Sequence, residues 1–272
     1  MRARGKNRTK SFPKKKLLYT ILIVAILFSA LILASYFLQP RQSASGPPTQ
    51  QPVWSKPKAA IVDHLSLSQP NQTFVEAANS TLQAAGFEVK YYKGEEVTVG
   101  FYQTLSTLNY DLIILRVHSA VRTDKQPYYV SFFTSEPYTQ NKYVNEQETD
   151  QLLMGQLEEN GPTFFAITPK FVDNTMGGRF SNTTIIMMGC DGLKYNNMAD
   201  ALIRKGAKVY ISWNGTVTAA YSDATTSHLL RALLIEKQQI QGAIAKIEPD
   251  PASGSQLLFY PIEAQNYIVR KE

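Results

Sequence analysis

The sequence predicts an α/β domain built on a mainly parallel sheet with helices on both faces, preceded by one membrane-crossing helix. Three observations predict it. Short apolar runs, such as residues 112–117 and 184–188, alternate with stretches of helical spacing, the pattern of strands buried on both faces. Residues 17–38 form an uncharged run rich in Leu and Ile. Ahead of that run, residues 1–16 hold eight basic side chains and no acid.

The N-terminal features set the organisation. As a helix of about 1.5 Å per residue, the 22 residues at 17–38 span roughly 33 Å, enough to cross a hydrocarbon core. A cleavable signal has a shorter apolar region of about 7–15 residues, although small residues near Ala34 and at 43–45 leave cleavage as the alternative. The basic tail at 1–16 is expected in the cytoplasm, against anionic lipid heads, with the remainder of the protein outside. Residues 39–57, rich in Pro, Ser and Gln, read as a flexible linker, and residues 58–272 as the α/β domain. The expected location is the cell membrane, single-pass, with the C-terminal domain extracytoplasmic.

The net charge is +6. Setting aside the eight tail residues leaves 20 basic side chains against 22 acidic ones. The domain is therefore close to neutral, which removes the electrostatic case for a nucleic-acid partner.

Within the domain, residues 59–62 read as a first strand, and 74–85 as a helix stopped by Gly86. A second strand follows at 87–92, a short helix at 101–108 and a third strand at 112–117. Further strands are expected at 128–133 and 163–167, with a helix at 146–157 between them. The pattern resumes with a strand at 184–188, a helix at 198–205 stopped by Gly206 and a strand at 208–213. A long amphipathic helix at 223–239 and a helical stretch at 241–247 follow. Function in open α/β sheets gathers at the carboxyl ends of strands, which singles out Asp63 and His64, His118, and Gly189 and Cys190.

Cys190 is the only cysteine in the sequence and His is present three times, so no internal disulfide and no structural zinc site is expected. No phosphate-binding, dinucleotide or zinc-protease motif is present, and no cofactor is expected. If the strands ending at His118 and Cys190 are neighbours, imidazole and thiol come within reach. The imidazole can then take the thiol proton and return it to a leaving amine. Backbone N–H groups of Cys190, Ser119 and Asp191 are the candidate oxyanion donors. His64 is the rival base, and His228 lies on a helix. Asn71, Asn79, Asn182 and Asn214 begin glycosylation sequons.

A strand ending in His and a later strand ending in Gly189-Cys190-Asp191-Gly192 resembles the caspase-like cysteine peptidases, the group of caspases, gingipains, separases and CHAT domains. The similarity continues through Gly206-Ala207, the strand to Trp213 and the segment from Asp223. It is good over residues 110–120 and 183–235 and architectural elsewhere. The resemblance implies a three-layer αβα sandwich and a Cys190/His118 dyad hydrolysing peptide bonds of a protein or peptide substrate. Acidic residues near the site would select basic side chains, as in gingipains and separases. Asp223 is placed for this, with Asp63 and Asp191 as rivals, and Trp213 would line the next subsite. Ser119 departs from the family, which usually has Gly after the histidine. The alternative is a catalytically inactive member of the scaffold that binds a partner at the cell surface.

Overall fold

In the computed structural model, which describes residues 56–269, the apolar runs pair edge to edge. In sequence order the strands are β1 (Lys58–Asp63), β2 (Glu88–Lys93), β3 (Leu112–Arg116), β4 (Ser119–Arg122), β5 (Tyr129–Pro137), β6 (Leu152–Gln156), β7 (Thr163–Ile167), β8 (Thr184–Met187), β9 (Val209–Trp213) and β10 (Leu257–Tyr260). The helices are α1 (Gln72–Ala84), α2 (Val99–Thr104), α3 (Val144–Glu148), α4 (Pro169–Asn174), α5 (Asn197–Arg204), α6 (Ala219–Leu230) and α7 (Ile240–Ile244).

Six strands form one sheet in the order β10-β9-β8-β3-β1-β2. All of its pairs are parallel except β9 with β10, so the expected mainly parallel sheet is present. The backbone runs outward from β1 to β2, then returns to place β3 on the other side of β1. That reversal makes a topological switch point at the carboxyl ends of β1 and β3. The remaining strands, β4-β5-β7-β6, form an antiparallel sheet inserted between β3 and β8.

Alternation along the central strands explains the two cores. Ala59, Ile61, Leu112 and Ile114 point to one face, where they meet Phe74 and Leu82 of α1, Leu229 of α6 and Ile240 of α7. Ala60, Val62, Ile113 and Leu115 point to the other, against Tyr102 of α2, Phe171 of α4, Leu202 of α5 and Phe132 of the second sheet. Ile61, Leu112, Ile113 and Ile114 have no exposed surface, and each contributes about 1.5–3 kcal/mol by burial. Gly86 and Gly206 have φ of 86° and 107°, the left-handed conformation that lets each end its helix.

Three expectations change. The helix placed at 146–157 is a single turn, α3, followed by strand β6. Asp150 between them is left-handed, with φ of 57°, and Leu152 pairs with Ile167 instead of extending the helix. The long helix begins at Ala219, capped by Thr218, four residues before its expected start. It ends in a π-helical turn, Arg231–Ile235. Strands β4 and β10 have no counterpart among the expected elements.

Among the described residues no helix is long and apolar enough to cross a membrane. The expected tail at 1–16, span at 17–38 and nearly all of the linker at 39–57 lie outside them.

Candidate active site

Cys190 and His118 follow neighbouring strand ends because β3 and β8 are paired in parallel, Leu115 opposite Met187. The ladder continues one step, with the Met188 N–H donating to the Leu115 carbonyl at 2.8 Å. Beyond it the packing is close enough to require glycine at two positions. A Cβ on Gly189 would lie 2.4 Å from the Val117 carbonyl oxygen, and one on Gly192 would lie 2.0 Å from Ser212 Oγ. Both glycines of the Gly-Cys-Asp-Gly motif thus have a packing reason that holds whatever the thiol does.

Cys190 is partly buried, packed against the α1–α6 face. Its Sγ lies 3.5 Å from both the N–H and the carbonyl oxygen of Val217. Its own carbonyl accepts a hydrogen bond from Ser119 Oγ at 2.5 Å, which ties the residue after the histidine to the cysteine. His118 is half-buried, with Nε2 3.1 Å from Ser68 Oγ. Its ring stands edge-on to His64 at 5.6 Å and to Phe133 at 6.4 Å. Burial, and then the positive Arg116 nearby, push the His118 pKa down, so at neutral pH the imidazole is a free base. Thiol and imidazole are not hydrogen-bonded to each other. Sγ leans toward the β9 side and the ring toward the β1 side.

Of the expected oxyanion donors, Asp191 is a correction. Its N–H donates to the Gly215 carbonyl at 2.9 Å, so it is engaged. Its carboxylate pairs with Lys194 at 3.3 Å. Among the described residues the Cys190 N–H has no such partner. For Ser119, the Phe133 N–H bonds to the His118 carbonyl, and antiparallel ladders alternate bonded and non-bonded pairs. The Ser119–Phe132 pair is therefore a non-bonded one, and the Ser119 N–H points to the outer edge of β4.

The expected selectors of basic side chains are corrected as well. Asp63 and Asp223, 1% and 4% exposed, close on Arg116, a side chain with no route to solvent. Arg116 donates to Asp63 Oδ1 at 2.8 Å, to both Asp223 oxygens at 2.7 and 2.9 Å, and to the Gln69 carbonyl at 2.8 Å. Tyr91 donates to the other Asp63 oxygen, and Asn71 donates to Asp223 Oδ2 alongside Arg116. Burial alone would lower the Arg116 pKa, but the bonds to Asp223 and Asp63 leave it raised. Burial, and then Asp63, hold the Tyr91 phenol up at about 12. Both carboxylates are thus engaged from inside. Asn71 engages its amide with Asp223 and with the cap of α1. Trp213 is 1% exposed, its indole N–H on Ser222 Oγ. It packs the core and presents no subsite.

His64 is 3% exposed, and its Nδ1 has no hydrogen-bond partner. Burial, then the neighbouring His118, lower its pKa to about 4, against a hydrogen bond with the Thr134 backbone. It stands behind His118 and has no path to a substrate. His228 is exposed on α6. Two residues of the site went unread in the sequence. Arg116 could have been found, since a cation inside an apolar strand demands buried carboxylates. Ser68 carries no comparable signal. Among the described residues no cluster of three or more His, Cys, Asp or Glu could hold a metal.

No family model matches the sequence, and no curated protein matches it.

Proposed function

We propose that the domain is a cysteine peptidase of caspase-like type, a three-layer αβα sandwich in which Cys190 is the nucleophile and His118 the base. The observation that carries this reading is the pairing of β3 with β8. It brings the protein's only thiol and a neutral imidazole to adjacent strand ends, beside the switch point of the sheet.

With Nε2 held at Ser68, Nδ1 is the nitrogen that serves the thiol. A turn about the Cys190 Cα–Cβ bond takes Sγ from its weak contacts at Val217 toward the ring. The thiol proton passes to Nδ1, and sulfur bonds to the substrate carbonyl carbon. The displaced electron pair rests on the carbonyl oxygen, held by the N–H groups of Cys190 and Ser119. The C–N bond then breaks as Nδ1 returns the proton to the leaving amine. Water attacks the thioester, releasing the acid and restoring the thiol. A preference for basic residues is no part of this reaction, because Asp63 and Asp223 are already paired with Arg116. Residues 17–38 would anchor this peptidase with its substrates on the outer side of the membrane.

The test is the full-length protein incubated with an unbiased peptide library, with Cys190→Ala and His118→Ala as controls. Cleavage lost in both variants is the expected result; cleavage that persists in Cys190→Ala rejects the mechanism. The second reading, an inactive scaffold that binds a surface partner, is favoured by the resting contacts of Sγ with Val217. It gains if the intact protein cuts nothing and Cys190 resists alkylation.

A further inference from the structure

The antiparallel sheet carries a groove that the reaction above leaves unused. β4 starts at the residue after His118 and is the outer strand of that sheet. His118 sits opposite Phe133 through their backbone hydrogen bond, and Ala120 sits opposite Ser131. Side chains alternate along a strand, so His118, Ala120, Ser131 and Phe133 emerge on one face. The contact between the His118 and Phe133 rings agrees, and Val130 and Phe132 fill the core on the opposite face.

On the face that His118 shares, the sheet is hollowed into a groove of about 340 Å³, lined among others by Ala120, Ser131, Leu153 and Gly155, a size within the range of ligand sites. Its residues keep it open. Ala120 and Ser131 are small, and a Cβ on Gly155 would lie 2.6 Å from the Phe133 ring, so the glycine lets that ring lie flat beneath it. Along the outer edge of β4, the backbone groups of Ser119 and Val121 belong to the non-bonded pairs and point away from β5. No described strand pairs with that edge.

The chemistry decides which part of a substrate belongs there. The protonated imidazole must reach the leaving nitrogen, so the substrate segment that follows the scissile bond departs on the His118 side. Sγ rests on the opposite side, at Val217. We propose that an extended peptide segment from the C-terminal side of the cut pairs its backbone with the outer edge of β4 and turns its alternate side chains toward Ala120 at the mouth of the groove. The direction of the segment rests on the peptidase reading; the pairing with β4 rests on the free edge and the groove alone.

The full-length Cys190→Ala variant is incubated with random-sequence decapeptides, and amide hydrogen exchange is mapped. Bound peptides are expected to slow exchange at residues 119–122. Ala120→Arg, which fills the groove, should weaken binding by about tenfold or more, the equivalent of about 1.4 kcal/mol. Should Ala120→Arg unfold the protein, Val121→Pro carries the same comparison, since it removes an outward N–H that β5 does not use. Peptides that protect other strands, binding unchanged in the folded variant, or no binding at all would overturn the proposal. So would protection of residues 119–122 that rises with protein concentration without peptide, since a second copy then occupies the edge. The enzyme reading fails separately, if peptides seated in the groove stay uncut by the protein with Cys190 intact.

Discussion

Two neighbouring junctions of the same sheet are built on opposite principles. At the ends of β1 and β3, Arg116 is sealed in, its guanidinium completed by the Gln69 carbonyl and its carboxylate partners by Tyr91 and Asn71. At the ends of β3 and β8, the groups are half-exposed and under-used. Among the described residues Sγ has only long contacts at 3.5 Å, and the Cys190 and Ser119 N–H groups meet no acceptor. A buried charge must be satisfied to be tolerated, whereas a group that is to bind something must be left unsatisfied. The contrast separates the charges that hold the fold from the groups free for chemistry. It also shows why the carboxylates nearest the site are the wrong place to look for substrate selection.

Substitution on each side should break the molecule differently. Cys190→Ala is expected to lower peptide hydrolysis by about 10³-fold or more. Its midpoint in urea should move by less than about 1 kcal/mol of stability, since few core contacts are lost. Arg116→Ala should do the reverse in kind. It strands Asp63 and Asp223 as buried, unpaired charges and costs about 3–5 kcal/mol, read as a lower urea midpoint. If Arg116→Ala were neutral in stability, the division between the two junctions would collapse.

The histidines sharpen the comparison through pH. His64 is buried neutral, with a pKa of about 4 in the folded state against an ordinary 6.5. Between those values the unfolded protein takes up a proton that the folded protein refuses. Stability is therefore complete above about pH 6.5 and declines as pH falls toward 4, by on the order of 3 kcal/mol. The lowered pKa of His118 acts in the same direction. Urea titrations at several pH values should show this slope, and His64→Leu should flatten it. The smallest effect is expected from Ser68→Ala, which frees His118 Nε2. The turnover number should fall by roughly tenfold, with the Michaelis constant and stability nearly unchanged, as for a residue that orients the base. A change in the Michaelis constant alone would place Ser68 at the substrate instead.

The central sheet was legible because its strands are buried on both faces, and a run such as residues 112–117 has few other uses. The antiparallel sheet was not. Residues 119–122 are half-buried and mixed in character, and only pairing with β5 makes them a strand. At 146–157 the apolar spacing suits a helix, and the left-handed turn at Asp150 overrides it through tertiary pairing with β7. Cys190 and His118 could be nominated because strand ends are predictable. Which carboxylates would be free could not, since the answer lay in Arg116, whose guanidinium reaches two elements distant in sequence.

The insertion of a whole sheet between β3 and β8 has a consequence in time. Ser119 and Cys190 touch across 71 positions, and the loop between them must be closed before their strands can register. During synthesis the imidazole leaves the ribosome long before the sulfur, and until the intervening sheet has settled the two have nothing to hold them together. On the peptidase reading, any reactivity that needs both is thus delayed until the domain is complete.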